Sequence, residues 1–127
     1  MTKIAEPVID VNEISHIASG VLIKGDITCP ADVRIDGKID GKIQSSGRVV
    51  VGETAEIKGT ILCDMLDFWG NMDGDIFVRN TLSLKAGSTV KGNINIHKLQ
   101  VEMGAALDGF CKMISEEDFD KLVVPQN

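Results

Sequence analysis

A chain of 127 residues with 43% apolar but only 4% aromatic residues is sized for one domain, with a core that leaves little room for rings. Its net charge of −6 gathers at the termini: Lys3 stands against Glu6, Asp10 and Glu13, and Lys121 against Glu116, Glu117, Asp118 and Asp120. No basic stripe is present to neutralise phosphates, so nucleic acid is not expected as a partner, and the lack of a signal peptide, long apolar run or lipidation motif predicts a cytoplasmic protein.

Residues 1–15 read as an N-terminal arm, disordered or at most forming one irregular strand at Ile9 and Val11, because Pro7 interrupts it. From residue 16 to 113 one spacing then recurs six times: an apolar residue, five others, a second apolar residue, and x-Gly-x before a third apolar or small one. It reads Ile17/Ile23/Gly25/Ile27, Val33/Ile39/Gly41/Ile43, Val51/Ile57/Gly59/Ile61, Leu66/Met72/Gly74/Ile76, Leu84/Val90/Gly92/Ile94 and Val101/Leu107/Gly109/Cys111. The period of 15 to 18 residues is too short for helical repeats or propeller blades, which need roughly 33 to 45. It suits one coil of a β-solenoid, and at ~4.8 Å per coil six coils make a rod ~29 Å long. Because the eleven-residue block keeps its length, all variation in the period is assigned to one connecting segment.

Strand side chains alternate between faces, which sorts each block. Over residues 90–97 the apolar residues and Gly92 share one parity, and Lys91, Asn93, Asn95 and His97 share the other. The apolar parity faces inward. Glycine on that parity predicts a corner where a side chain would overfill the core and where φ is positive. A further glycine in each five-residue interval (Gly20, Gly37, Gly52, Gly70, Gly87, Gly104) marks another turn. Cys63 and Cys111 fall on the inward parity, and without any Cys-x-x-Cys the three cysteines read as buried reduced thiols.

After Met113 the pattern stops. Ser115-Glu116-Glu117-Asp118 offers an N-cap with acids in the first turn, and Phe119, Leu122 and Val123 follow at helical spacing before Pro125. Residues 114–127 are therefore an acidic C-terminal tail containing a short helix, which either lids the last coil or is a motif that a partner recognises through Phe119, Leu122 and Val123.

A stack of coils leaves its first and last coils with unpaired backbone groups and an exposed slice of core, and these flanks are poor caps. End-to-end stacking with another copy follows, with Phe110 and Leu107 as interface candidates at one end and Ile17 and Ile23 at the other. On the outward parity, the column Thr28, Gln44, Leu62, Phe77, Asn95, Lys112 places Leu62 beside Phe77. With Trp69, they are candidates for a lateral or partner patch.

Nothing points to catalysis. The acid pairs Asp36/Asp40 and Asp73/Asp75 lie at outward or turn positions among lysines and read as solvated, as do His16 and His97. No phosphate loop, nucleophile triad or metal cluster is visible, so no cofactor or metal is expected and the chain reads as a non-enzyme.

The stretches Val33-Arg34-Ile35-Asp36-Gly37-Lys38-Ile39-Asp40-Gly41-Lys42-Ile43 and Val49-Val50-Val51-Gly52-Glu53-Thr54-Ala55-Glu56-Ile57-Lys58-Gly59-Thr60-Ile61 resemble the first coils of the bactofilins, bacterial cytoskeletal proteins. The similarity runs over about residues 16–113. It implies an all-β fold, a single right-handed triangular β-helix of about six short coils with flexible termini. It also implies nucleotide-independent, non-polar filaments that act as membrane-associated scaffolds and localise cell-wall or morphogenesis machinery. The amino-terminal arm lacks the apolar or basic start that some relatives use to reach the membrane, which puts direct membrane binding in doubt. Any association with the inner face of the membrane would then run through partners held by the tails.

Two other readings compete on the same residues. A left-handed hexapeptide-repeat acyltransferase fits the six-residue spacing of Leu66, Met72, Val78, Leu84, Val90 and Ile96, but Val51 to Leu66 and Ile96 to Val101 break that register. A non-polymerising β-solenoid adaptor would bind partners through its tails.

Overall fold

The computed structural model describes residues 15–122. Nine strands and one helix follow in order: β1 Ser15–Ile17, β2 Leu22–Cys29, β3 Val33–Ile35, β4 Lys38–Ser45, β5 Arg48–Val51, β6 Glu56–Phe68, β7 Asn71–Leu84, β8 Thr89–Val101, β9 Ala106–Met113 and α1 Glu116–Leu122. Every strand pairing is parallel. The chain winds as a β-solenoid of about six turns, each coil hydrogen-bonded to the one before and the one after.

Each coil has two hydrogen-bonded stretches. The first stacks β1, β3 and β5 under the carboxy-terminal parts of β6, β7 and β8. The second stacks β2 and β4 under the amino-terminal parts of β6, β7 and β8, with β9 last. Glycine pairs with glycine through this second stack, from Gly25 to Gly109, with positive φ at each. The glycine divides the stretch into two runs, so a coil has three.

The inward parity builds a continuous core. Ile39, Ile57, Met72 and Val90 stack on one side of the corner, and Ile43, Ile61, Ile76 and Ile94 on the other, all buried. Phe68 is the one aromatic ring among the core side chains. Fully burying a side chain of this size is worth roughly 1.5–3 kcal/mol, so each coil-on-coil contact is strong and a bare coil forfeits much of it.

The register corrects two sequence expectations. The residues that pair up the first stack are Ile17, Ile35, Val51, Phe68, Leu84 and Val101. The second and fourth coils therefore begin the shared pattern at Ile35 and Phe68, and Val33 and Leu66 are the inward residues two positions earlier. Five residues separate Ile17 from Ile23 but three separate Ile35 from Ile39, while three separate Cys29 from Val33 and two separate Cys63 from Leu66. Length varies at both turns. The fixed eleven-residue block arose because a strand's inward side chains recur every second residue, which lets a coil with a shorter turn match two positions out of step.

The corner glycines are the other correction. They are only half-buried in the inner coils, and the obstacle to a side chain is not the core. A Cβ on Gly41, Gly59, Gly74, Gly92 or Gly109 would lie 1.9 to 2.1 Å from the carbonyl oxygen of the preceding coil's glycine. Backbone stacks on backbone here.

Tight turns also nest on wide ones: Lys38 N donates to the Val21 carbonyl at 2.8 Å, and Asn71 N to the Ala55 carbonyl at 3.1 Å. The helix α1 starts on Ser115, whose Oγ accepts from Asp118 N at 3.0 Å.

Candidate assembly surfaces

Among the described residues the carboxy-terminal end is bare: strand β9 pairs only with β8, and all eight of its residues are exposed. Leu107 and Cys111 stand in register with Val90 and Ile94, which are buried, so their exposure reflects the lack of a further coil and not a change of parity. Leu107 is 37% exposed and Phe110 78%, with Val101, Met103 and Met113 exposed beside them. The free edge of β9 adds backbone groups ready to accept another strand.

Phe110 is paired with Asn93 on the outward parity. It therefore sits at the rim of the end and closes no core. The helix does not lie over it: α1 packs against β7, on the side of the rod.

The amino-terminal end differs. Among the described residues β1 pairs only with β3 and β2 only with β4. Yet Ile23 is 7% exposed, Ile27 and Cys29 are buried and Ile17 is half-buried. Only Val21 and Leu22 are exposed large apolar side chains there. Ile23 is thus a core residue and not an open surface, and Ile17 is a partial one.

The thiols divide in the same way. Cys29 and Cys63 are buried, and burial pushes the Cys63 thiol well above its usual range, with the Asp64 and Asp67 charges adding to the rise. Cys111 is exposed, against the expectation of three buried thiols, and what burial it has raises its pKa. Titration of the native, dispersed protein with a chromogenic disulfide is expected to count one fast thiol, with two more appearing on unfolding. Three fast thiols would show that the coils open in solution.

On the side of the rod, Leu62 and Phe77 are neighbours in register, as the outward column requires. Trp69 is not with them. It occupies the tight turn after Phe68, lines a shallow cleft with Arg34, Asp36, Gly52, Glu53 and Thr54, and carries the Lys85 ammonium 5.4 Å from its ring centre.

The helix docks by one cation and two apolar side chains. Arg79 Nε donates to Asp120 Oδ1 at 2.9 Å and Nη2 to Asp120 Oδ2 at 3.4 Å, while Nη1 lies 3.6 Å from Glu116 and 3.9 Å from Asp64. These carboxylates raise the pKa of Arg79, the Asp120 hydrogen bond most of all. Ile114 and Phe119 are buried. Phe119, expected as a recognition residue, is therefore engaged in docking; the side chain of Leu122 and the whole of Val123 lie outside the described residues.

The role of Arg79 was not legible from sequence, because its partner Asp120 lies 41 residues away and the pairing depends on where the chain turns after β9.

Both histidines have partners. His97 Nδ1 is 3.1 Å from the Ile114 carbonyl, where the chain leaves the last coil. His16 Nε2 is 2.6 Å from Asp36, whose carboxyl is held below the usual range first by the Arg34 hydrogen bond and also by His16. Among the described residues no cluster of three or more His, Cys, Asp or Glu could hold a metal, and no helix is long and apolar enough to cross a membrane.

A parallel β-solenoid with a bare terminal coil is an architecture suited to joining its own kind. The family model for bactofilins, described as polymer-forming cytoskeletal, matches residues 15–112. Among curated proteins, bactofilin BacO of Myxococcus xanthus (strain DK1622) is 26% identical over 101 residues, 80% of each chain. No solved structure matches. The chain belongs to the bactofilin family, and so to a class of polymer-forming cytoskeletal proteins.

Proposed function

We propose that this protein assembles end to end into filaments without nucleotide, and that the filaments serve as a scaffold. The observation that carries this reading is the bare last coil, where Leu107, Cys111 and Met113 expose inward-parity side chains whose counterparts are buried in every other coil, the polar Ser45 included. Adding a coil from a second copy would repeat contacts already present five times in the rod. Head-to-tail stacking repeats those contacts directly; pairing like ends, with both ends competent, also propagates and gives the filament without polarity that we propose. Nothing in that contact calls for a nucleotide.

The scaffold would work in the cytoplasm and hold cell-wall or morphogenesis proteins through the termini, reaching the inner face of the membrane by way of those partners. The test is electron microscopy of the purified full chain without nucleotide, over a range of concentration and salt. Filaments are expected throughout; monomers that stay dispersed at high concentration would remove the reading.

A further inference from the structure

Leu62 belongs to the outward column, where a side chain should meet water, yet it is 9% exposed, and its neighbour Phe77 is half-buried. The element packed on this side is α1, with Phe119 7% exposed. A helix of seven residues has no lasting stability alone in water, so α1 keeps its form only while docked. One guanidinium, that of Arg79, holds it through Asp120 and Glu116. The result is a removable cover over an apolar strip.

We propose that the Leu62–Phe77 strip is a lateral self-association surface, fitted to the same strip on a second copy in a neighbouring filament, and that α1 masks it. The column residues on either side, Gln44 and Asn95, are uncharged, and along the strands Asp64 and Asp75 are offset in part by Arg79, so two such strips meet with little net charge between them. With α1 in place, each filament instead presents Glu116, Glu117, Asp118 and Asp120 against Lys121 and the docking Arg79, a face that stays net negative, and two such faces repel. In a filament the strip recurs once per subunit, and the neighbouring filament has the same repeat. A weak contact is then multiplied along the whole length.

This surface rests on the filament reading, and the experiment separates the two. In the full chain, Asp120→Arg sets a second guanidinium against Arg79 and releases α1 without changing any residue of the strip or its flanks. Micrographs are expected to shift from single filaments to paired or bundled ones, and Leu62→Glu added to the same chain is expected to restore single filaments. A chain ending at Ile114 removes the helix outright and should bundle in the same way. Single filaments in both variants, or bundles that persist with Leu62→Glu, overturn the proposal. If the parent forms no filaments at all, the end-to-end reading fails instead, and sedimentation of the shortened chain decides the strip. A monomer-to-dimer shift lost with Leu62→Glu supports it, and monomer alone overturns it.

Discussion

Gly74→Ala is expected to cost about 3 kcal/mol or more of stability, whereas Gly87→Ala costs about 1–2 kcal/mol. Both glycines have positive φ, +146° and +88°, so both substitutions strain the backbone. They differ in what a methyl group would meet. At Gly87 nothing lies within 4 Å, but at Gly74 the new atom would stand 1.9 Å from the Gly59 carbonyl oxygen. That oxygen cannot step aside, because Gly59 is itself paired to Gly41 below and Gly74 above. Relief requires the two coils to separate, which breaks the parallel ladder and opens the core between Ile61 and Ile76. Urea unfolding followed by the β-sheet circular dichroism signal compares the two. Equal losses would mean that the corner glycines are selected by φ alone and that the stacked backbone has room to move.

Much of this structure was legible because a solenoid repeats one local rule. The inward parity, the outward column from Thr28 to Lys112 and the glycine corner all follow from strand alternation, and each pairs in register as the spacing requires. The rest depended on information that alternation does not carry. Val33 and Leu66 have the same parity as Ile35 and Phe68, so a pattern of apolar residues could not tell which pair opens the coil; only the pairing does. The corner glycine looked like a response to a crowded core because its neighbours in sequence are Ile, Val and Leu, while the true obstacle is a carbonyl one coil away. Cys111 has the parity of a buried residue and is exposed because burial also needs a next coil, which a single chain does not supply. The docking of α1 turns on Arg79, and a single surface arginine has no periodicity to give it away.

Phe110→Arg is expected to abolish filaments while leaving a folded, β-rich monomer. Phe110 is 78% exposed, so replacing it removes almost no packing within the chain, and monomer stability should change by no more than about 0.5 kcal/mol. At an end-to-end contact the same position is different. A guanidinium without a partner, pressed against another copy's rim and dehydrated, costs several kcal/mol, and each 1.4 kcal/mol raises the concentration needed for assembly about tenfold. The parent and Phe110→Leu should then pellet as filaments under conditions where Phe110→Arg stays in the supernatant. Cys111, one residue along the same strand, supplies an internal report. Its thiol should become slow to react as the parent assembles and stay fast in Phe110→Arg at every concentration. If the variant pellets like the parent and Cys111 is protected in both, the bare coil still joins copies but Phe110 lies outside the joint. If Cys111 stays fast in parental filaments, the subunits meet somewhere other than this end, and the reason for leaving β9 uncovered must lie with a different partner.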